Sequence, residues 1–126
     1  MKTKLKNLNL IKCFIMILFL SISGCSSTQS TVYKEGDETW KVNVVKKAAL
    51  NEEFICTING TEVLKDSFPL IGDNFQKSGS YKGKKIMMNG YRTSSTSKDV
   101  NGNVQSTDTY QIRVFIDDKL IDKFDF

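Results

Sequence analysis

The chain has 126 residues, 18 Lys and Arg against 14 Asp and Glu, one proline, three cysteines and no histidine. Without histidine there is no Ser-His-Asp or Cys-His catalysis, and the commonest metal ligand is gone. The length suits one modest core, and the formal net charge of +4 is decided by where the lysines lie.

Four lysines, Lys2, Lys4, Lys6 and Lys12, precede the apolar run Cys13–Leu20. That run is too short for the roughly 20 residues a helix needs to cross a bilayer. A basic start, a short apolar stretch and then small residues is the order of an export signal. The segment closes on Ile22-Ser23-Gly24-Cys25, an aliphatic residue, serine, glycine and cysteine in succession. Charge, length and this tetrapeptide, in register, resemble the signal and lipobox of bacterial prolipoproteins. The resemblance implies cleavage between Gly24 and Cys25, and a diacylglycerol on the Cys25 thiol. Residues 1–24 would then be a signal helix that is removed. More than one acyl chain anchors stably where a single chain holds marginally. Ser26, rather than aspartate, after the cysteine resembles an outer-membrane address if the envelope is Gram-negative.

Loss of the signal removes four lysines and no acids, so the remaining charges balance. A nucleic-acid partner would call for a basic face, and none survives processing. With Cys13 removed and Cys25 acylated, Cys56 has no disulfide partner. It alternates with Phe54 and Ile58 and is expected in the core as a small hydrophobe.

Residues 25–37 are polar, rich in Ser and Thr, and read as a flexible tether, with docking of Thr31-Val32-Tyr33 as a first edge strand the alternative. Residues 38–126 read as strands. Trp40, Val42 and Val44 alternate with Lys41 and Asn43, the period of a half-buried strand. Val45–Glu53 holds either two helical turns or a bulged connection. Phe54–Ile58 runs into Asn59-Gly60, a strong type I′ hairpin signal, and Thr61–Leu64 leads back. Asn89-Gly90 is a further turn signal between Ser80–Met88 and Tyr91. Arg92–Asp108 is polar throughout, with a turn at Asn101-Gly102, and forms a long exposed hairpin or a loop. Tyr110, Ile112, Val114 and Ile116 alternate with Gln111, Arg113 and Phe115; Asp117-Asp118 then turns the chain into Lys119–Phe126. Many short strands joined by turn signals predict an all-β antiparallel sandwich or a partly open barrel.

Sites are sparse. Trp40, Tyr81 and Tyr91 with Lys82 and Lys84 are the candidates for a ligand or glycan platform. Alternation would put Lys82 and Lys84 on one strand face, where lysines also guard an edge. Asp99, Asn101 and Asn103 resemble the start of a calcium loop, but twelve-residue spacing from Asp99 ends on Tyr110, not glutamate. Glu52-Glu53 and Asp117-Asp118 are neighbours, and neighbours on a strand point to opposite faces, unlike the facing carboxyls of a glycosidase. No cofactor is expected. The expected function is a non-catalytic, membrane-anchored module that binds an envelope protein, the alternative being a small-ligand or glycan binder.

Overall fold

A computed structural model describes residues 25–126 of the chain, so the expected signal segment, Gly24 included, lies outside the described residues. Eight strands follow one another: β1 (Ser26–Glu35), β2 (Glu38–Lys47), β3 (Glu53–Ile58), β4 (Thr61–Ser67), β5 (Asn74–Tyr81), β6 (Lys84–Lys98), β7 (Val104–Ile116) and β8 (Lys119–Asp125). They form two four-stranded antiparallel sheets, ordered β1-β2-β3-β4 and β5-β6-β7-β8, each a succession of hairpins. The two sheets pack face to face as a small sandwich. They do not close into a barrel: β1 meets β8 through the Gln29 side-chain amide donating to the Asp125 carbonyl, and β4 runs beside β5 without a ladder.

Alternation builds the core. Trp40, Val42 and Val44 of β2 face Ile86 and Met88 of β6 and Ile112, Val114 and Ile116 of β7, all essentially without solvent contact. Phe54, Cys56, Ile58, Leu64, Phe68, Tyr110 and Phe124 complete it. Phe54 is the hub of an aromatic group, with ring centroids 5.7 Å from Phe68, 5.5 Å from Tyr110 and 5.7 Å from Phe126. Such pairs add modestly to what burial alone contributes.

Four short turns share one end of the sandwich, called here the turn end. Three have positive φ at both central residues, as type I′ turns demand: Asn59 and Gly60, Lys82 and Gly83, Asp117 and Asp118. The Asp117-Asp118 turn works without glycine because aspartate tolerates the left-handed region and its carboxylate is held locally. Asp117 accepts from the Lys85 backbone N–H at 3.0 Å, tying the last hairpin to β6.

The structure corrects two expectations. Residues 26–35 are not a tether: they pair with β2 along their whole length, from Ser26 opposite Lys47 to Glu35 opposite Glu38. The signal was weak because β1 is an edge strand whose inward positions are Gln29, Thr31, Tyr33 and Glu35, so it lacks the apolar alternation of a central strand. Asn89-Gly90 is not a turn but the middle of β6, with Gly90 opposite both Phe75 and Ile112. The turn falls instead at Lys82-Gly83. At Val45–Glu53 the connection alternative holds: β2 runs to Lys47 and an irregular segment leads to β3. Arg92–Asp108 takes the hairpin alternative, with Thr93–Lys98 paired to Val104–Thr109 as a two-stranded ribbon.

Candidate functional site

The turn end gathers four of the five residues expected to form a platform. Tyr33, Trp40 and Tyr81 stack in sequence, Trp40 lying 5.6 Å from Tyr33 and edge-on to Tyr81 at 5.0 Å. Trp40 is 2% exposed, however, and its indole N–H donates to Glu38 at 2.9 Å. A ring with no free face cannot stack on a ligand, which corrects its place among the binding candidates: Trp40 is a core residue.

The lysines are equally committed. Lys84 bridges Glu35 at 2.9 Å and Asp117 at 3.3 Å, joining the first hairpin to the last. Lys82 is in a turn, not on a strand face, and lies 3.5 Å from Glu38. The Tyr33 hydroxyl, then Lys84, holds Glu35 below the usual carboxylate range. Glu38 is lowered by the Trp40 indole and then by Lys82, and Asp117 by the Lys85 backbone N–H and then by Lys84. The same contacts raise Lys84, Glu35 first and Asp117 second. The cluster closes this end of the sandwich; its charges answer one another and leave no unmatched group for a ligand.

Asp99 caps the ribbon. Its Oδ1 accepts from the backbone N–H of Asn101 and Asn103, at 2.8 and 2.9 Å, and its Oδ2 from the Asn103 side-chain amide at 3.0 Å. The Asn103 contacts, then the other backbone donors, lower its pKa. Asn103 thus turns a donor, not an oxygen, toward Asp99, and the calcium candidate resolves into an Asx-type turn closure. Among the described residues no group of three or more acidic, cysteine or histidine side chains converges on one point.

Tyr91 lies apart from the other four, on the outward face of the β5–β8 sheet. On that face β6 contributes Met87, Asn89 and Tyr91, and β7 contributes Gln111, Arg113 and Phe115. Inward-pointing neighbours, Ile86 and Met88 on one strand and Val114 and Ile116 on the other, fix this orientation. Register sets Met87 opposite Phe115, and Phe115 opposite Leu120 of β8, an apolar row across three strands. Leu120 is 43% exposed and Tyr91 39%. The Arg113 guanidinium lies 4.8 Å over the Tyr91 ring and donates to Gln111 at 2.9 Å. Sequence reasoning missed Met87, Arg113, Phe115 and Leu120 as a group. The signal that could have found them was Phe115, an aromatic standing at an outward position of an otherwise clean alternation.

Opposite the turn end lies the other end of the sandwich, which holds Cys25, the 48–52 and 68–73 connections and the ribbon. Cys25 is exposed, and its carbonyl accepts from the Ala48 N–H at 3.3 Å. A shallow cleft of about 190 Å³ there is lined by Leu50, Glu52, Phe68, Arg92, Asp108 and Tyr110 among others. Arg92 is held by Asp73 at 3.1 Å and by the Gly72 carbonyl at 2.8 Å. Cys56 is buried, and burial pushes its thiol up to about 12, as expected of a small core hydrophobe.

These features define an antiparallel β-sandwich with one outward face carrying an aromatic, arginine and aliphatic strip. Compared with known proteins, the chain matches no family model, no curated sequence and no solved structure.

Proposed function

We propose that this chain is a lipid-anchored protein of the bacterial cell envelope, held through Cys25, that binds another envelope protein through the outward face of its β5–β8 sheet and performs no chemistry itself. The observation that carries the binding role is the strip formed by Tyr91, Arg113, Met87, Phe115 and Leu120. Aromatic, Arg and Met side chains are the types enriched at the centres of protein interfaces. Here they stand side by side on a rigid sheet, with polar Ser78 and Ser80 of β5 on one flank and Lys123 and Asp125 of β8 on the other. The support for the anchor is the agreement of basic start, apolar run and lipobox, together with the exposure of Cys25. Ser26 after the cysteine favours the outer membrane, facing the periplasm. Confinement to that thin layer raises the effective concentration toward membrane-borne partners without any added contact.

The test is photo-crosslinking in intact cells, with a photoreactive amino acid placed at Phe115 or Tyr91, and at Asn43 on the outward face of the other sheet. A discrete protein adduct from the first two positions and none from Asn43 is the expected result. Equal adducts from both sheets, or none from Phe115 and Tyr91, would remove the basis of the proposal. Acylation is read separately, as the mass of the N-terminal peptide beginning at Cys25.

A further inference from the structure

We infer that the sandwich rests directly on the phospholipid bilayer, docked by the aliphatic side chains of the loops at the same end as Cys25, with the β6–β7 ribbon lying along the headgroups. This rests on the proposed acylation of Cys25 and adds an orientation to it. Strand β1 begins at Ser26, paired with Lys47, so no free linker separates the acylated residue from the folded body. An acylated cysteine sits at the boundary between headgroups and hydrocarbon. Whatever surrounds Cys25 is therefore held at that depth.

The surroundings are apolar in the right place. The Cys25 carbonyl bonds Ala48, which places the Leu50 connection beside the anchor. The 68–73 connection joins the two sheets at the same end and carries Leu70 and Ile71, 87% and 94% exposed. Leu50, Leu70, Ile71 and Val100 are the most exposed large apolar side chains among the described residues, and none is at the turn end. Soluble surfaces carry such residues singly and scattered; a group confined to one end marks a contact surface. Charges of both signs flank it, Lys47 and Arg92 with Glu53 and Asp73, so the contact is apolar rather than an attraction to anionic lipid.

The ribbon decides the tilt. Beyond the point where Asp73 and Phe126 bond Arg92 and Tyr110, β6 and β7 continue alone as Thr93–Lys98 and Val104–Thr109. Six residues of strand reach roughly 20 Å. Standing upright toward the membrane, the ribbon would drive Lys98 and Asp99 into a hydrocarbon layer about 15 Å deep per leaflet, where charge is strongly disfavoured. It therefore lies flat in the headgroup layer, and the sandwich leans with it. Val100, fully exposed at the tip, then meets the interface.

The test uses the full chain, processed in cells and reconstituted in phosphatidylethanolamine–phosphatidylglycerol vesicles containing nitroxide lipid. An environment-sensitive fluorophore is attached through Leu70→Cys, Val100→Cys or, at the turn end, Thr61→Cys. All three sites are exposed, and the buried Cys56 takes no label. Docking predicts a blue shift and nitroxide quenching at Leu70→Cys and Val100→Cys, unchanged by high salt, and neither at Thr61→Cys. Vesicle-bound protein whose Leu70→Cys label stays solvent-like overturns the docking and leaves the anchor standing. Protein that stays off the vesicles, with Cys25 open to the label, overturns both.

Discussion

Gly90 is the position where one added methyl group tests the packing of the sandwich most sharply. It lies in the middle of β6, facing inward with Ile86 and Met88, directly opposite Phe75 of β5. The Phe75 ring occupies the space its side chain would fill: a Cβ there would stand 2.1 Å from Cε1 and 2.6 Å from both Cδ1 and Cζ. Real contacts need well over an ångström more than the shortest of these. Gly90→Ala must therefore displace the ring, which itself packs edge-on against Phe68 at 4.9 Å and near Phe54 at 6.1 Å. Overpacking costs roughly 1–3 kcal/mol, and loss of one aromatic pair adds about 0.5–1.5 kcal/mol. The expected destabilisation is thus about 2–4 kcal/mol, although Gly90 has no positive φ and alanine suits a strand backbone better. Equilibrium unfolding in urea, followed by the fluorescence of the single, buried Trp40, reads it directly. Phe75→Leu should relieve the clash, so the double variant should be more stable than the sum of the two single losses. If Gly90→Ala stays within about 0.5 kcal/mol of the parent, as an ordinary surface change would, Phe75 does not cover Gly90 and the pairing of β5 with β6 is misread.

Asn89, next to it but facing outward, has a buried side-chain oxygen without a partner. Asn89→Val removes that unmet group and favours the strand, so a gain of about 1 kcal/mol is expected in the same urea assay, and a loss would show the oxygen to be satisfied. Stability should fall on acidification through the carboxylate range. Glu35, Glu38 and Asp117 have pKa values below their ordinary 4.5, 4.5 and 3.8, so their stabilisation is full above those values and is lost as pH drops through the folded ones. Lys84, raised above 10.5, extends the plateau on the alkaline side until pH rises through its folded value. A thermal-melt series against pH should show that plateau, and Glu35→Gln should blunt both of its edges; unchanged edges would mean that Lys84 and Glu35 do not interact. Cys56 should react with a thiol reagent only as fast as the protein opens, because its thiol is buried and raised to about 12. Rapid labelling of the native protein would contradict its place in the core.

The central strands were legible because their inward residues alternate with polar ones: Trp40, Val42 and Val44, or Ile112, Val114 and Ile116, could face only one way. Turns with two positive φ values were legible where Asn-Gly or Asp-Asp stood between such runs. The same rule misled at Asn89-Gly90, because a glycine can be selected by a neighbour's ring as readily as by a dihedral angle, and Phe75 is fifteen positions before Gly90 in the chain. Edge strand β1 was hidden for a different reason. Its inner positions are polar or amphipathic, and their partners, such as Lys84 for Glu35, come from the other sheet. Long-range pairing of that kind leaves no local period. The ligand platform failed on the same ground. Tyr81, Lys82 and Lys84 do gather with Trp40, but the acids that neutralise the lysines, Glu35, Glu38 and Asp117, are distant in the chain, and only the fold brings them together.

The two ends of the sandwich differ because their connections differ in length. At the turn end the two-residue turns carry polar residues and glycine, and ion pairs join them, Lys82–Glu38 and Lys84–Glu35 across the sheets and Lys84–Asp117 and Lys85–Asp118 within one. Those ion pairs tie the turns of that end to one another. The connections at the other end, spanning 48–52 and 68–73, have room for side chains that serve neither a turn nor the core, and there Leu50, Leu70 and Ile71 stand free. A chain anchored at Cys25, leaning with its ribbon, would keep this end against the membrane and the sides of the sandwich in the layer next to it. The strip from Tyr91 to Leu120 is on one of those sides. If the strip binds as proposed, a partner that reaches it would occupy the same thin layer, and membrane attachment would then be part of its selectivity rather than a separate property.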